Sequence, residues 1–138
     1  MKDNAIHIEA WVAKDPSTVW DCYTSPEHIT QWNFASDDWC CPSASNNLAV
    51  GGKYQARMEA KDGSFGFDLI ATYSQIDHGK GYSFQMEDGR EVTVELSDQK
   101  EGTLVTVMFE PEAENPIEMQ QQGWQGILDN FKKYCDSL

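Results

Sequence analysis

Residues 53–73 read KYQARMEAKDGSFGFDLIATY, and the fold turns on this stretch. Tyr54, Ala56, Met58 and Ala60 alternate with polar residues, and the same period returns in Phe65, Phe67, Leu69, Ala71 and Tyr73. A period of two is that of a half-buried strand. Asp62-Gly63 between the two runs is a strong hairpin signal. Folding the chain back at that turn sets Ala60 against Phe65, Met58 against Phe67, Ala56 against Leu69 and Tyr54 against Ala71. Apolar meets apolar at each pair, so local turn and overall pattern agree. Arg57 and Asp68 fall opposite each other on the other face, and read as a cross-strand surface ion pair.

Toward the C-terminus the pattern continues. A turn over 76–81 leads to Tyr82, Phe84 and Met86. Around Asp88-Gly89 a two-residue turn would set Phe84 against Thr93. A three-residue loop with a bulge, Gly89 left-handed, sets Phe84 against Val94 and Met86 against Val92, and is the expectation here. Val92, Val94 and Leu96 then pair with Phe109, Val107 and Val105 across a loop at 97–102. After Asn115-Pro116, the residues Ile117, Gln120, Trp124, Ile127, Leu128, Phe131 and Cys135 share one helical stripe. A helix of about 20 residues would be about 30 Å long.

Toward the N-terminus, Ile6, Ile8, Ala10 and Val12 alternate with His7, Glu9 and Trp11 as a first strand. Asp15-Pro16 reads as an N-cap followed by proline at the first helical position, opening a short helix to Tyr23. Ser25-Pro26-Glu27 repeats the signal for a second helix to about Gln31. Residues 32–48 lack periodicity and read as a long loop, closed by the turn Val50-Gly51-Gly52.

These elements predict an α+β fold: a curved antiparallel sheet wrapped around a long C-terminal helix, with two short helices after strand one. The 138 residues are expected to form one domain, and a chain of this length buries a sizeable core. Hydrophobic residues at 40% argue against disorder. A net charge of −13 argues against nucleic-acid binding and against a polybasic membrane role. Between Glu101 and Phe131 there is no Lys or Arg, and this acidic run reads as a solvated face. With no apolar signal-peptide core at the N-terminus, a cytoplasmic location and reduced thiols at Cys22, Cys40, Cys41 and Cys135 are expected. Cys40-Cys41 is not a C-x-x-C spacing, its neighbours Asp37 and Asp38 raise thiol pKa, and the three His are scattered. No metal site or cofactor is therefore expected. Val50-Gly51-Gly52 is likewise no phosphate loop.

A curved sheet gripping one straight helix tends to leave a cavity. Trp32, Phe34 and Trp39 stand near its expected mouth, as a ligand lid or as core. Tyr54, Met58, Phe67, Phe84 and Met86 would line it, or pack the sheet onto the helix. Trp124 and the polar Gln120 lie on the inward helix stripe, where Gln120 needs a partner if buried. His28 has no nucleophile or carboxylate placed by sequence to complete a catalytic set, so no catalytic residue is assigned.

The ordered set Val19-Trp20-Asp21-Cys22-Tyr23-Thr24, Ser25-Pro26-Glu27-His28-Ile29 with Trp32, Val50-Gly51-Gly52-Lys53-Tyr54, Asp62-Gly63-Ser64, Phe109-Glu110-Pro111-Glu112 and Gly123 to Phe131 resembles the activator-of-heat-shock-protein-ATPase homologue family. That family belongs to the helix-grip (START, Bet-v or SRPBCC) superfamily, and the likeness runs over nearly the whole chain. The resemblance implies the helix-grip fold and a cavity. It implies three functional readings. The leading one is non-enzymatic binding of a small hydrophobic molecule (lipid, sterol or polyketide-like). The alternative is an interaction module like the co-chaperone's C-terminal domain, with a chaperone as partner. The third is a polyketide-cyclase-like enzyme, ranked last because the inward polar groups are only Gln120, Tyr54 and Tyr82.

Overall fold

In the computed structural model of the chain, which describes residues 4–138, the alternation at the N-terminus becomes β1 (Ile6–Val12). Ile6, Ile8, Ala10 and Val12 are buried there, and His7, Glu9 and Trp11 are exposed. Two short helices follow, α1 (Pro16–Thr24) and α2 (Pro26–Trp32). Asp15 caps α1 by accepting a hydrogen bond from the Thr18 amide at 3.1 Å, and the Thr18 side chain together with this amide holds its carboxyl below the ordinary value. Ser25 opens α2 without a capping bond. Its hydroxyl turns back to Asp21 instead.

Six more strands complete the sheet: β2 (Trp39–Asn46), β3 (Lys53–Ala60), β4 (Gly66–Asp77), β5 (Gly81–Met86), β6 (Glu91–Gln99) and β7 (Gly102–Phe109). The sheet is antiparallel, in the order β1-β7-β6-β5-β4-β3-β2. The last element is α3 (Ile117–Asp136), 20 residues long. This is the helix-grip arrangement, a half-barrel curved around one long helix. A register shift between Tyr73 and Gln75 breaks the long β4 ladder, and such a bulge bends a strand and sharpens its twist.

The first hairpin has the expected register: Tyr54 pairs with Ala71, Ala56 with Leu69 and Met58 with Phe67. Gly63, at φ +78°, takes the left-handed position in its turn. The β6–β7 pairs of Val92, Val94 and Leu96 with Phe109, Val107 and Val105 are also as expected.

Three expectations are corrected. Residues 32–48 are not one long loop, because 39–46 form the edge strand β2. Its sequence does not alternate and contains Pro42, which an edge strand tolerates because only one side of it is paired. The ladder to β3 is irregular there, shifting between Cys40 and Ser43.

The second correction is the β5–β6 register. Phe84 pairs with Val92 and Tyr82 with Val94, so Met86 does not face Val92. The loop does have three residues, 87–89, closed by the Met86 amide bonding the Arg90 carbonyl at 2.8 Å. In a three-residue hairpin the left-handed residue comes last. Gly89, at φ +92°, is that last residue, which moves the pairing by two positions and keeps the same side chains inward.

Third, Ile117 leaves the inward stripe of α3. It is the first helical residue and is 48% exposed. The rest of the stripe holds: Gln120, Leu128, Phe131 and Cys135 are buried, and Trp124 and Ile127 are half-buried. Polar bonds fix the helix at both sides. Asn130 donates to the Trp32 carbonyl at 2.9 Å, and Asp136 accepts from the Ala13 amide at 2.9 Å. Among the described residues, no helix is long and apolar enough to cross a membrane.

Candidate functional site

Between the inner face of the sheet and α3 lies a cavity of about 230 Å³. The strands deliver Tyr54 and Met58 from β3, Phe67 and Leu69 from β4, and Tyr82, Phe84 and Met86 from β5. Alternation alone places them, since each is an inward position of its strand. From the helices come Tyr23, Trp32 and Trp124. The walls are mostly apolar, with Asn33, Arg90 and the tyrosine hydroxyls as the polar exceptions.

Seven of the residues expected at the site therefore line one cavity: Trp32, Tyr54, Met58, Phe67, Phe84, Met86 and Trp124. Trp32 is a wall rather than a lid. It is buried, its indole donates to the Cys22 carbonyl at 2.9 Å, and its ring packs on Tyr23 and Phe131. Trp124 stacks flat on Phe109 at 4.0 Å and closes the helix onto β7. The other three do not line the cavity. Phe34 borders a shallow groove with Ala35, Ser36 and Asn130. Trp39 lies edge-on to Phe65 and Phe67 at 6.0 and 6.3 Å, at the tip of the first hairpin. Gln120 is buried, but its side chain is spent on the chain just before α3: it accepts from the Glu112 amide at 2.8 Å and donates to the Glu112 and Asn115 carbonyls.

Residues passed over in the sequence complete the site. Tyr23 on α1 reads from helical spacing only as inward-facing. Asn33 follows α2, and Arg90 follows the β5–β6 turn, where no periodicity gives a direction. Asn33 donates weakly to the Tyr54 hydroxyl at 3.4 Å. The Arg90 Nε donates to Asp88 at 2.8 Å. Burial pushes the hydroxyls of Tyr23, Tyr54 and Tyr82 well above the ordinary tyrosine value, reinforced by the other tyrosines around them. At neutral pH these groups are uncharged. Tyr73, just behind them, is pushed up to about 12 by burial, partly offset by its bond to Asn46 at 2.7 Å.

Outside the cavity, His28 and Arg57 are engaged and three of the four thiols are perturbed by burial. His28 Nδ1 lies 2.7 Å from the Tyr134 hydroxyl, and its Nε2 lies 3.4 Å from Asp21. Burial raises the thiol pKa of Cys22 and Cys41 and pushes that of Cys135 up to about 12. Arg57 bonds Glu59 at 2.8 Å and reaches Asp68 at 3.6 Å, the cross-strand pair on the outer face. The acidic run is not all solvated face: Glu110 is 6% exposed and accepts from the Glu91 amide at 2.7 Å. Among the described residues no group of three or more His, Cys, Asp or Glu is placed to hold a metal ion.

A family model described as "Activator of Hsp90 ATPase homolog 1-like protein" matches residues 13–136. The chain belongs to this family. The AHSA1-like protein from Aeromonas hydrophila, whose solution structure is known, is 41% identical to it. That match has a TM-score of 0.91 and covers 96% of this chain and 92% of the other. A protein of Cytophaga hutchinsonii is 37% identical, with a TM-score of 0.84 and coverage of 97% and 93%. A Nitrosomonas europaea protein at 16% identity shares the fold, at a TM-score of 0.83 over 96% of this chain and 94% of its own. No curated protein matches the chain.

Proposed function

We propose that this family member is a binding protein whose cavity holds a small hydrophobic molecule. The observation that carries this reading is the unfilled space of about 230 Å³ behind walls of Met58, Phe67, Phe84, Met86 and Trp124. Burial of the ligand's apolar surface would supply the affinity, at about 25 cal/mol per Å². The volume lies below the roughly 300–1,000 Å³ of clefts for drug-sized ligands, which favours one ring or a short acyl chain over a sterol. The tyrosines of the wall stay protonated at neutral pH, so none of them is a general base. That supports holding over converting. The test is a titration of labelled protein with small aromatic and acyl compounds, followed by NMR. Saturable shifts on Met58, Phe84 and Trp124 are expected, and Leu69→Trp, which fills the space, should abolish them. A panel without saturable shifts would sink the reading.

A second reading takes its support from the description of the matching family model, an activator of the Hsp90 ATPase. The chain would then contact a chaperone through an outer surface. Phe65 at 60% exposure and Phe67 at 43%, beside Trp39, form an exposed aromatic group suited to such a contact. Stimulation of a chaperone's ATPase that survives Leu69→Trp and is lost on Phe65→Ser would favour this reading over the container.

A further inference from the structure

The chain has five tyrosines, and their hydroxyls fall into two groups. Three have a partner: Tyr73 donates to Asn46, Tyr134 meets His28, and Tyr54 accepts weakly from Asn33 while its own O–H meets no acceptor among the described residues. Tyr23 and Tyr82 line the cavity, and their hydroxyls have no hydrogen-bond partner among the described residues. Yet among the described residues no sealed side-chain oxygen or nitrogen is left without a partner. Both hydroxyls therefore keep some accessible surface; the cavity is the space that both side chains border, and Tyr82 also borders a second, more polar groove with Gln75, Lys80 and Glu95. Their rings lie 6.4 Å apart, which brings an α1 residue and a β5 residue to one end of the cavity.

We infer that the cavity's occupant is a neutral amphiphile with one oxygen-bearing head, inserted head first toward the hydroxyls of Tyr23 and Tyr82. The inference rests on the container reading above. An apolar molecule at this end would leave two donors unmet in a low-dielectric site, a recurring cost that a hydroxyl or carbonyl oxygen removes. A charged head does not suit this end. The flanking hydroxyls are neutral, and burial without a paired opposite charge penalises an ion.

Among the described residues, Arg90 is the one Arg or Lys in the cavity wall; it is at the far end and already bonded to Asp88. Arg90 sits beside Met86, and Tyr82 and Met86 mark the two ends of β5. They are four residues apart, about 13 Å along a strand. The apolar tail would run along that length toward Met58, Phe67 and Met86. Phe67 is exposed on that side, so the tail end is the one that reaches the surface.

The test uses two probes of one shape, 4-ethylphenol and 4-ethyltoluene, titrated by NMR into the wild-type chain and into Tyr23→Phe and Tyr82→Phe. Both variants keep the ring and should keep a dispersed native spectrum. The phenol is expected to bind wild type about three- to tenfold more tightly than the hydrocarbon for each hydrogen bond formed. Each Phe variant should lose a like factor for the phenol and none for the hydrocarbon. Equal affinities in wild type would overturn the head assignment and leave the container standing. A phenol advantage unchanged in both variants would overturn the role of these two hydroxyls. Failure of both probes to bind would overturn the container reading, and this inference with it.

Discussion

On the β1–β7 side most side chains between the sheet and α3 are sealed, although Ile8 and Val107 also border the cavity. Val12, Val105, Phe109 and Phe131 have no exposed surface, and the Trp124 ring lies flat on Phe109. On the β3–β4 side the same inner face carries Met58, Phe67 and Leu69, which border open space. Both regions have the same strand period and the same kind of residue. They differ in what lies across from them. A straight helix can follow a curved sheet closely along only part of its width. The cavity is where the two surfaces part, and no special sequence is needed to make it.

Breaking this comparison begins with the largest effect. Phe131→Ala in the sealed half should cost about 3–5 kcal/mol of stability, measured by denaturant unfolding. Met58→Ala on the cavity wall should cost about 2 kcal/mol, because it enlarges a space that already exists. Equal costs would mean that the two halves are packed alike. Gln120→Ala should cost about 1–3 kcal/mol, since it strips three hydrogen bonds from the chain that leads into α3. A loss confined to that segment in amide exchange would sharpen the assignment.

The fourth change probes the tether between α3 and the end of β1. Burial alone would raise the Asp136 carboxyl, but bonds from Lys132 and the Ala13 amide and the nearby positive charges hold it below 3.8. A depressed carboxylate contributes stability above its unfolded pKa and loses it as pH falls through the folded one. Asp136→Ala should therefore cost about 1 kcal/mol at pH 7, and the gap to wild type should close as pH drops below 4. A gap that stays constant down to pH 2 would mean that the carboxylate's charge is not what holds the tether. The smallest effect is expected from Arg57→Ala on the outer face. Its ion pairs to Glu59 and Asp68 are solvent-screened, and the thermal midpoint should hardly move.

Much of the sealed half could be read from residue order. β1 and the β6–β7 pairing follow from strict alternation, and α3 follows from a stripe that starts at a proline. In the other half the first hairpin was equally legible, because Asp62-Gly63 fixes where the chain reverses. The β5–β6 register was not. Pairings two residues apart put the same side chains inward, so pattern could not choose between them and the position of Gly89 in the loop did. β2 left no mark of its own, because an edge strand is held by the backbone of β3 and its side chains need not alternate.

The cavity wall was legible for the same reason as the strands, since inward positions are periodic. Its polar points were not. Whether Gln120 meets a ligand or a neighbouring carbonyl depends on where residues 110–116 pass, and no period records that path. Tyr23 and Trp39 depend likewise on how loops and helices meet the sheet.

The shape of β2 has a consequence for how these molecules behave in each other's company. An open sheet has two edges, and a flat, regular edge invites a strand from another molecule to add to it. Pro42 lacks an amide hydrogen, and the ladder slips between Cys40 and Ser43, so β2 offers a broken template. The exposed aromatic group of Trp39, Phe65 and Phe67 sits right beside that edge. A sticky surface next to a continuous edge would promote sheet-to-sheet aggregation. The interruption in β2 lets the chain keep apolar side chains outside at low risk of fibrous assembly.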